Sequence, residues 1–287
     1  MQTCDNIEQL RSQIKAWHAK NESVAFVPTM GNLHDGHLSL VELARKRAQH
    51  VVVSIYVNPL QFAPHEDFDS YPRTLQDDLD KLAAVDTGLV FTPDTALIYP
   101  QGERENTFVE VPSLSDILEG EFRPGFFRGV ATVVLKLFNM VQPDIAVFGE
   151  KDFQQLLVIR RMVEELDLPI DIVGAPIKRE ADGLAMSSRN SYLDEDERAR
   201  SRVLSETLAS FCEQIKQGGD IEKAEQLAGR KLEEEGFSVD YVSLREASQL
   251  RQIAKDDLQN TPELVVLAAA TVGSTRLIDN MKFTLSD

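Results

Sequence analysis

The sequence predicts an α/β fold, a doubly wound parallel sheet followed by a smaller α+β C-terminal domain. Three observations carry this. Short, continuous apolar runs rich in β-branched residues recur between Val24 and Val173, and strands buried on both faces of a parallel sheet read that way. Segments with apolar residues at helical spacing separate them, which is the alternation of βαβ units. After Asn190 the pattern changes to charged helical segments and then to further strand-like runs.

Taken in order, MQTCDNIEQLRSQIKAW at the N-terminus reads as a charged amphipathic helix. It lacks the apolar core of a signal peptide. Val24 to Val27 is the first strand, ended by Pro28, and helical spacing sets in from Leu38. Val51 to Val57 is a second strand, Leu75 to Ala84 a helix, and Leu89 to Phe91 a short third strand. Gly129 to Val141 is helical, Ile145 to Phe148 a fourth strand, Asp152 to Leu166 a helix and Ile170 to Val173 a fifth strand. The stretch from Ala63 to Arg73, rich in charge and proline, is expected to be a mobile loop. This order makes the first part Rossmann-like, with ligands expected beyond the carboxyl ends of the strands. Arg198 to Gln217 and Ile221 to Glu235 then read as helices, and Val239 to Leu244, Leu264 to Ala270 and Thr275 to Ile278 as strands. The domain boundary is expected within Ala181 to Tyr192, giving domains 1–185 and 186–287.

Composition narrows the function. The chain has 287 residues, 43% hydrophobic and 27% charged, as in an ordinary globular protein. With 30 Lys+Arg against 47 Asp+Glu its formal net charge is −17. Such a surface repels nucleic acid and anionic lipid, so any phosphate must be held by a small local set of cations. Two cysteines, Cys4 and Cys212, make neither a metal motif nor a disulfide scaffold. The longest apolar run, Leu264 to Val272, is too short to span a bilayer. A cytoplasmic location is expected.

Five clusters bear chemistry. Two of the five histidines, His34 and His37, flank Gly36 just after Thr29-Met30-Gly31, where a strand hands over to a helix. Helix N-termini bind anions, Gly36 lets a ligand approach the backbone, and imidazole N–H groups suit phosphate oxygens. The same pair also fits helix-capping or surface histidines. Asn58 and Gln61, past the second strand, are neutral groups suited to hydroxyl and carboxylate recognition, although Asn-Pro is also a common turn. Gly149-Glu150-Lys151-Asp152 with Gln155, past the fourth strand, can hold a ribose and a phosphate. Asp152 also fits a helix cap, whereas a lysine there opposes the helix dipole. Met186-Ser187-Ser188-Arg189-Asn190 is either a clamp for a triphosphate or a polar linker. Arg123-Pro124-Gly125 is a cationic turn able to face a carboxylate.

These segments resemble the pantothenate synthetase (pantoate–β-alanine ligase) family of the nucleotidylyltransferase superfamily. PTMGNLHDGH at Pro28 to His37 is similar to that family's version of the HIGH motif, and DGLAMSSRN at Asp182 to Asn190 to its counterpart of the KMSKS loop. NPLQF from Asn58, YPRTL from Tyr71, RPGFFRGV from Arg123, FGEKDFQQL from Phe148 and RLIDN from Arg276 follow in the family's order, so the likeness covers nearly the whole chain. The resemblance implies condensation of pantoate with β-alanine through pantoyl adenylate, with ATP and Mg²⁺ and no tightly bound organic cofactor. It implies ATP binding by Met30, Gly31, His34, Gly36, His37, Gly149, Glu150, Lys151, Asp152, Met186, Ser187, Ser188 and Arg189, and by the backbone at Lys178. By the same resemblance His34, His37, Lys151, Ser187, Ser188 and Arg189 would carry the catalytic roles. Gln61, Gln155, Asn58 and Arg123 would bind pantoate, and Gln61 and Tyr71 β-alanine. Residues 1–185 would then be the nucleotide- and pantoate-binding domain and 186–287 a lid. A homodimer through the larger domain is also implied. No set of protein ligands for the metal stands out; Asp77 and Asp78 are the nearest acidic candidates beside the metal or the amine. Two departures are Phe126, where the family usually has His, and Lys178, where it usually has an apolar residue. The competing readings are an adenylate-forming enzyme for another small acid and a nucleotide-binding regulator with a dead site. Neither a nucleic-acid nor a membrane partner is expected.

Overall fold

The structure is a computed structural model that describes residues 1–63 and 66–286. Its elements are β1 (Gln2–Cys4), α1 (Ile7–His18), β2 (Val24–Thr29), α2 (Asp35–Arg45), β3 (His50–Ile55), α3 (Leu75–Ala84) and β4 (Leu89–Phe91). There follow α4 (Thr95–Ile98), α5 (Glu119–Phe122), α6 (Phe126–Val141), β5 (Ile145–Gly149), α7 (Phe153–Glu165) and β6 (Asp171–Ala175). The C-terminal part holds α8 (Glu195–Ser201), α9 (Val203–Lys216), α10 (Ile221–Glu234), β7 (Phe237–Glu246), β8 (Leu264–Val272) and β9 (Thr275–Phe283).

Among the described residues, six strands make one sheet in the order β1-β4-β3-β2-β5-β6, all paired in parallel, and three make an antiparallel sheet, β7-β8-β9. The strand order reverses between β2 and β5. A doubly wound sheet binds its ligand at that switch point, beyond the carboxyl ends. The turn carrying His34 leaves β2 there, and β5 ends there at Gly149.

The chain falls into two compact units, Met1–Glu150 with Val158–Pro176, and Lys151–Leu157 with Ile177–Asp287. In the second unit Arg179 bridges to Ala185 and pairs with Asp279 of β9, which ties that segment to the small sheet. In the first unit Ala25, Val27, Val51, Val53, Val90 and Val147 pack with Leu33, Val41 and Leu82. In the second, α9 and α10 set Leu208, Phe211, Ile215 and Leu232 against Val266, Ala268 and Ala270 of β8.

Some expectations shift. The N-terminal helix is preceded by β1, whose three residues pair with Leu89 to Phe91 and so owe their conformation to the sheet. α2 begins at Asp35, ahead of its apolar periodicity, because it is capped by histidines. The helix expected over Arg198 to Gln217 is two, α8 and α9, meeting at Arg202. Of the loop expected to be mobile, Pro64 and His65 lie outside the described residues. Its remainder is held by Arg73, whose guanidinium donates to the carbonyls of Phe68, Asp69 and Tyr71. Among the described residues no helix is long and apolar enough to cross a membrane. Cys4 and Cys212 are both buried and free, and burial raises their thiol pKa values to about 11 and about 12.

Candidate active site

The first unit holds the histidine turn. After β2 the chain passes through Gly31 and Asn32, with φ of +79° and +50°. Gly31 cannot carry a side chain easily: a Cβ would come within 3.1 Å of Asp78 Oδ2 and of Ile55 Cγ2. The Thr29 hydroxyl ties the strand end, donating to Ser54 O at 2.8 Å and accepting from Gly31 N at 3.2 Å. His34 is the N-cap of α2. Its Nδ1 accepts from Gly36 N at 3.1 Å, while His37 Nδ1 accepts from His34 N at 3.3 Å. Ser/Thr and Glu usually make such a reciprocal box; here two imidazoles do. An accepting Nδ1 puts the proton of each neutral ring on Nε2, a tautomer assigned from these hydrogen bonds. The rings sit 4.1 Å apart, tilted by 47°. Each ring thus spends Nδ1 on a backbone N–H at the start of α2. Met30 and Gly36, half-buried, complete the turn.

Asp78 supports that turn from α3. The carboxylate is fully buried, at 0% exposure. Its Oδ1 accepts from Leu33 N at 2.7 Å, and its Oδ2 from Asn32 N at 2.8 Å and Thr74 Oγ1 at 3.3 Å. An acid so engaged does not fit a metal ligand, while Asp77 is exposed on the same helix. Among the described residues no three His, Cys, Asp or Glu side chains cluster as a cage for a metal ion.

A second knot in the first unit joins Asn58, Gln61, Arg123 and Tyr71. Asn58 is 1% exposed. Its Nδ2 donates to Gln61 Oε1 at 3.0 Å and Gly129 O at 3.2 Å, and its Oδ1 accepts from Tyr99 Oη at 2.8 Å. Burial raises the Tyr99 phenol pKa, so Tyr99 remains the donor. The Asn58 contact fixes the amide orientation of Gln61, with Nε2 as its donor end. Arg123 donates to Gln61 O at 2.9 Å and lies bidentate on Glu66 at 2.7 Å, with Glu119 at 3.2 Å. Its guanidinium rests 3.8 Å from the ring centroid of Phe126, so the phenyl ring found where the family usually has His serves as a cation–π face. The carboxylates expected to meet Arg123 are thus, first, the chain's own. Phe62, next to Gln61, packs edge-to-face on Tyr71 at 5.6 Å.

The second unit gathers the remaining candidates. Lys151 and Asp152 lie in the 3₁₀ turn Glu150–Asp152 that leads into α7, with Gln155 on its first turn. Asn280 Nδ2 donates to Lys151 O at 2.9 Å. Asp279, the preceding residue on β9, takes Arg179 in a fork at 2.7 and 2.9 Å, and Arg179 also donates to Gly183 O at 3.0 Å. This anchors a hairpin in which Met186 N donates to Lys178 O at 3.0 Å, so Lys178 is engaged through its backbone. Ser187 caps the turn Ser188–Tyr192 through Arg189 N at 3.3 Å, and Asn190 Nδ2 holds Ala185 O at 3.1 Å. Arg198 pairs with Asp182 at the hairpin tip and holds its carboxyl below the usual range. Sequence reasoning marks RLIDN as a motif but misses what Asp279 and Asn280 do, because their partners lie 100 and 129 residues away.

Known proteins resemble this chain over nearly its whole length. A profile of the family described as pantoate-beta-alanine ligase matches residues 2–282. A pantothenate synthetase of Shewanella sediminis is 54% identical over 284 residues, spanning 99% of this chain and 100% of its own. One of Shewanella oneidensis is 54% identical over 283 residues, 99% of either chain. Among solved structures, a pantothenate synthetase from Thermus thermophilus superposes with a TM-score of 0.89 at 42% identity, covering 98% of this chain and 99% of that one. A pantoate-beta-alanine ligase from Francisella tularensis, solved with beta-gamma ATP and beta-alanine, gives 0.82 at 32% identity over 100% and 98%.

Proposed function

The chain belongs to the pantoate–β-alanine ligase family, and from that premise we propose how its residues carry the reaction. The enzyme joins pantoate to β-alanine at the expense of ATP. In the proposed first step a carboxylate oxygen of pantoate attacks the α-phosphorus, the bond to pyrophosphate breaks, and pantoyl adenylate forms. In the second the β-alanine amine attacks the acyl carbon, AMP leaves with the bonding pair, and the amine nitrogen gives up a proton.

The paired imidazoles carry this reading. With Nδ1 held by backbone N–H groups, His34 and His37 would offer preorganised Nε2–H hydrogen-bond donors to phosphate oxygens as charge builds, His37 to the departing pyrophosphate. Met30, Gly31 and Gly36 give ATP its approach to the backbone. Gly149, Glu150 and Asp152 hold the nucleoside, Lys151 neutralises phosphate, the Lys178 backbone lies along the adenine, and Met186, Ser187, Ser188 and Arg189 clamp the triphosphate. Gln61 and Gln155 bind pantoate; Asn58 and Arg123 serve by orienting Gln61. β-Alanine enters beside Gln61 and Tyr71. Residues 1–185 would then serve nucleotide and pantoate binding, and residues 186–287 would form the lid. Mg²⁺ would arrive on the phosphates of ATP as part of the substrate, since it keeps its waters and favours phosphate oxygens over a protein cage. A cytoplasmic homodimer is the proposed form.

The test is pantoate-dependent exchange of labelled pyrophosphate into ATP, followed by AMP release on adding β-alanine. His37→Ala should slow exchange by roughly 10²-fold, the usual cost of losing a contact to developing charge. Unchanged exchange in that variant, or AMP formed from another acid and none from pantoate, would overturn the assignment.

A further inference from the structure

We propose that Asp78 and Lys81, one turn apart on α3, are positioning residues that set the two imidazoles for adenylate formation; this rests on the function proposed above. They clamp a single peptide segment from both polarities. Asp78 accepts the N–H groups of Asn32 and Leu33 at 2.8 and 2.7 Å, while Lys81 Nζ donates to Leu33 O at 2.7 Å. The next residue is His34, the cap of α2.

Two consequences follow from this arrangement. Consecutive backbone N–H groups after a left-handed residue form a nest that attracts anions. Asp78 fills that nest, so an incoming phosphate is directed away from the Asn32 and Leu33 amides and towards the imidazoles. The left-handed conformation of Asn32, with φ of +50°, also persists because both amides around it have a buried acceptor. Without that acceptor the turn is free to relax, and the Nδ1 contacts that fix both tautomers relax with it. Asp78 is fully buried and Thr74 donates to the same oxygen that Asn32 uses. The carboxylate is therefore a built part of the turn rather than a surface charge.

The experiment pairs Asp78→Asn with Lys81→Met and Lys81→Arg in the full-length enzyme. The asparagine keeps the shape but turns an N–H group against a backbone donor. Asp78→Asn should lower the rate of pyrophosphate exchange by about 10-fold or more with the KM for pantoate little changed, a misplacement effect on the chemical step. Lys81→Met should lower it by about 3- to 10-fold, the net worth of one ordinary hydrogen bond, and Lys81→Arg should restore most of the loss. Nitrogen-15 spectra of the imidazoles supply a readout independent of turnover: wild type should show His34 and His37 as Nε2–H tautomers, and both damaging variants a mixture. Folded variants with wild-type exchange and wild-type imidazole spectra would overturn the proposal. If Asp78→Asn fails to fold, the two lysine variants decide. If wild-type enzyme shows no pantoate-dependent exchange, the proposed function fails, and the spectra still judge the positioning role on their own.

Discussion

Replacing Gly129 with alanine tests how closely the fold places Gln61. Gly129 lies in α6 against the 3₁₀ turn Pro59–Gln61, and its carbonyl accepts Asn58 Nδ2 at 3.2 Å. An added Cβ would stand 2.3 Å from Leu60 O and 2.7 Å from Leu60 C. Carbon against a carbonyl oxygen sits at about 3.3 Å or more, so the two backbones must part by about 1 Å. α6 is long and largely buried, so the short turn is the element that gives way. Overpacking of this kind costs about 1–3 kcal/mol, from which the better helix propensity of alanine returns just under about 1. The net loss is up to about 2 kcal/mol, so melting should fall by up to roughly 4–8 °C for a unit of this size. The functional loss should be larger. The Asn58 bond to residue 129 stretches beyond hydrogen-bond range, Gln61 moves with its turn, and an error of about 1 Å costs up to roughly 10²-fold. Steady-state kinetics should show kcat/KM for pantoate falling by that order while KM for ATP changes little. A variant with wild-type melting and pantoate kinetics within about twofold of normal would refute the account of the Asn58–Gln61 knot.

Two further changes act in the second unit. Gly229→Ala, inside α10 where an added Cβ meets no atom within 4 Å, should stabilise by about 0.5–1 kcal/mol in urea denaturation; a loss would mean the helix is not as open there as described. Glu225 accepts from Leu244 N at 2.8 Å, yet burial raises its carboxyl pKa. A group raised in this way stabilises the fold below its unfolded pKa and loses that contribution as pH climbs through the folded value. Glu225→Gln keeps an acceptor and removes the charge, so it should exceed wild type in stability at about pH 7 and converge with it towards about pH 4. A constant difference across that range would contradict the burial argument.

The parallel strands are legible because each is buried on both faces and spells an unbroken apolar run, as Val51, Val52 and Val53 do in β3. β1 is not, since Gln2, Thr3 and Cys4 carry no such signal and extend only by pairing with β4. The candidate residues that stand out in the sequence are those where chemistry and position coincide, His34, His37, Lys151 and Ser187 to Arg189. A residue that works through a partner far along the chain does not stand out. Asp78 looks like one more acid in the first turn of a charged helix, and only its burial under the Gly31 turn distinguishes it from exposed Asp77. Asn58 reads as a ligand contact by type but has its amide wholly engaged within the protein. Histidine is absent from the usual capping residues, so periodicity places the start of α2 late even though both its cap and its box partner stand out in the sequence.

The two thiols fall one to each unit, Cys4 in β1 and Cys212 in α9. Both are buried, and with pKa values pushed to about 11 and about 12 neither presents a reactive thiolate in the closed fold. A thiol-specific reagent can then reach either one only when its own unit opens. Because opening free energies differ across a structure, the labelling rate of each cysteine is a clock for local unfolding. The wild-type chain thus comes with two native probes, which can report separately how substrates stiffen the first unit and the second.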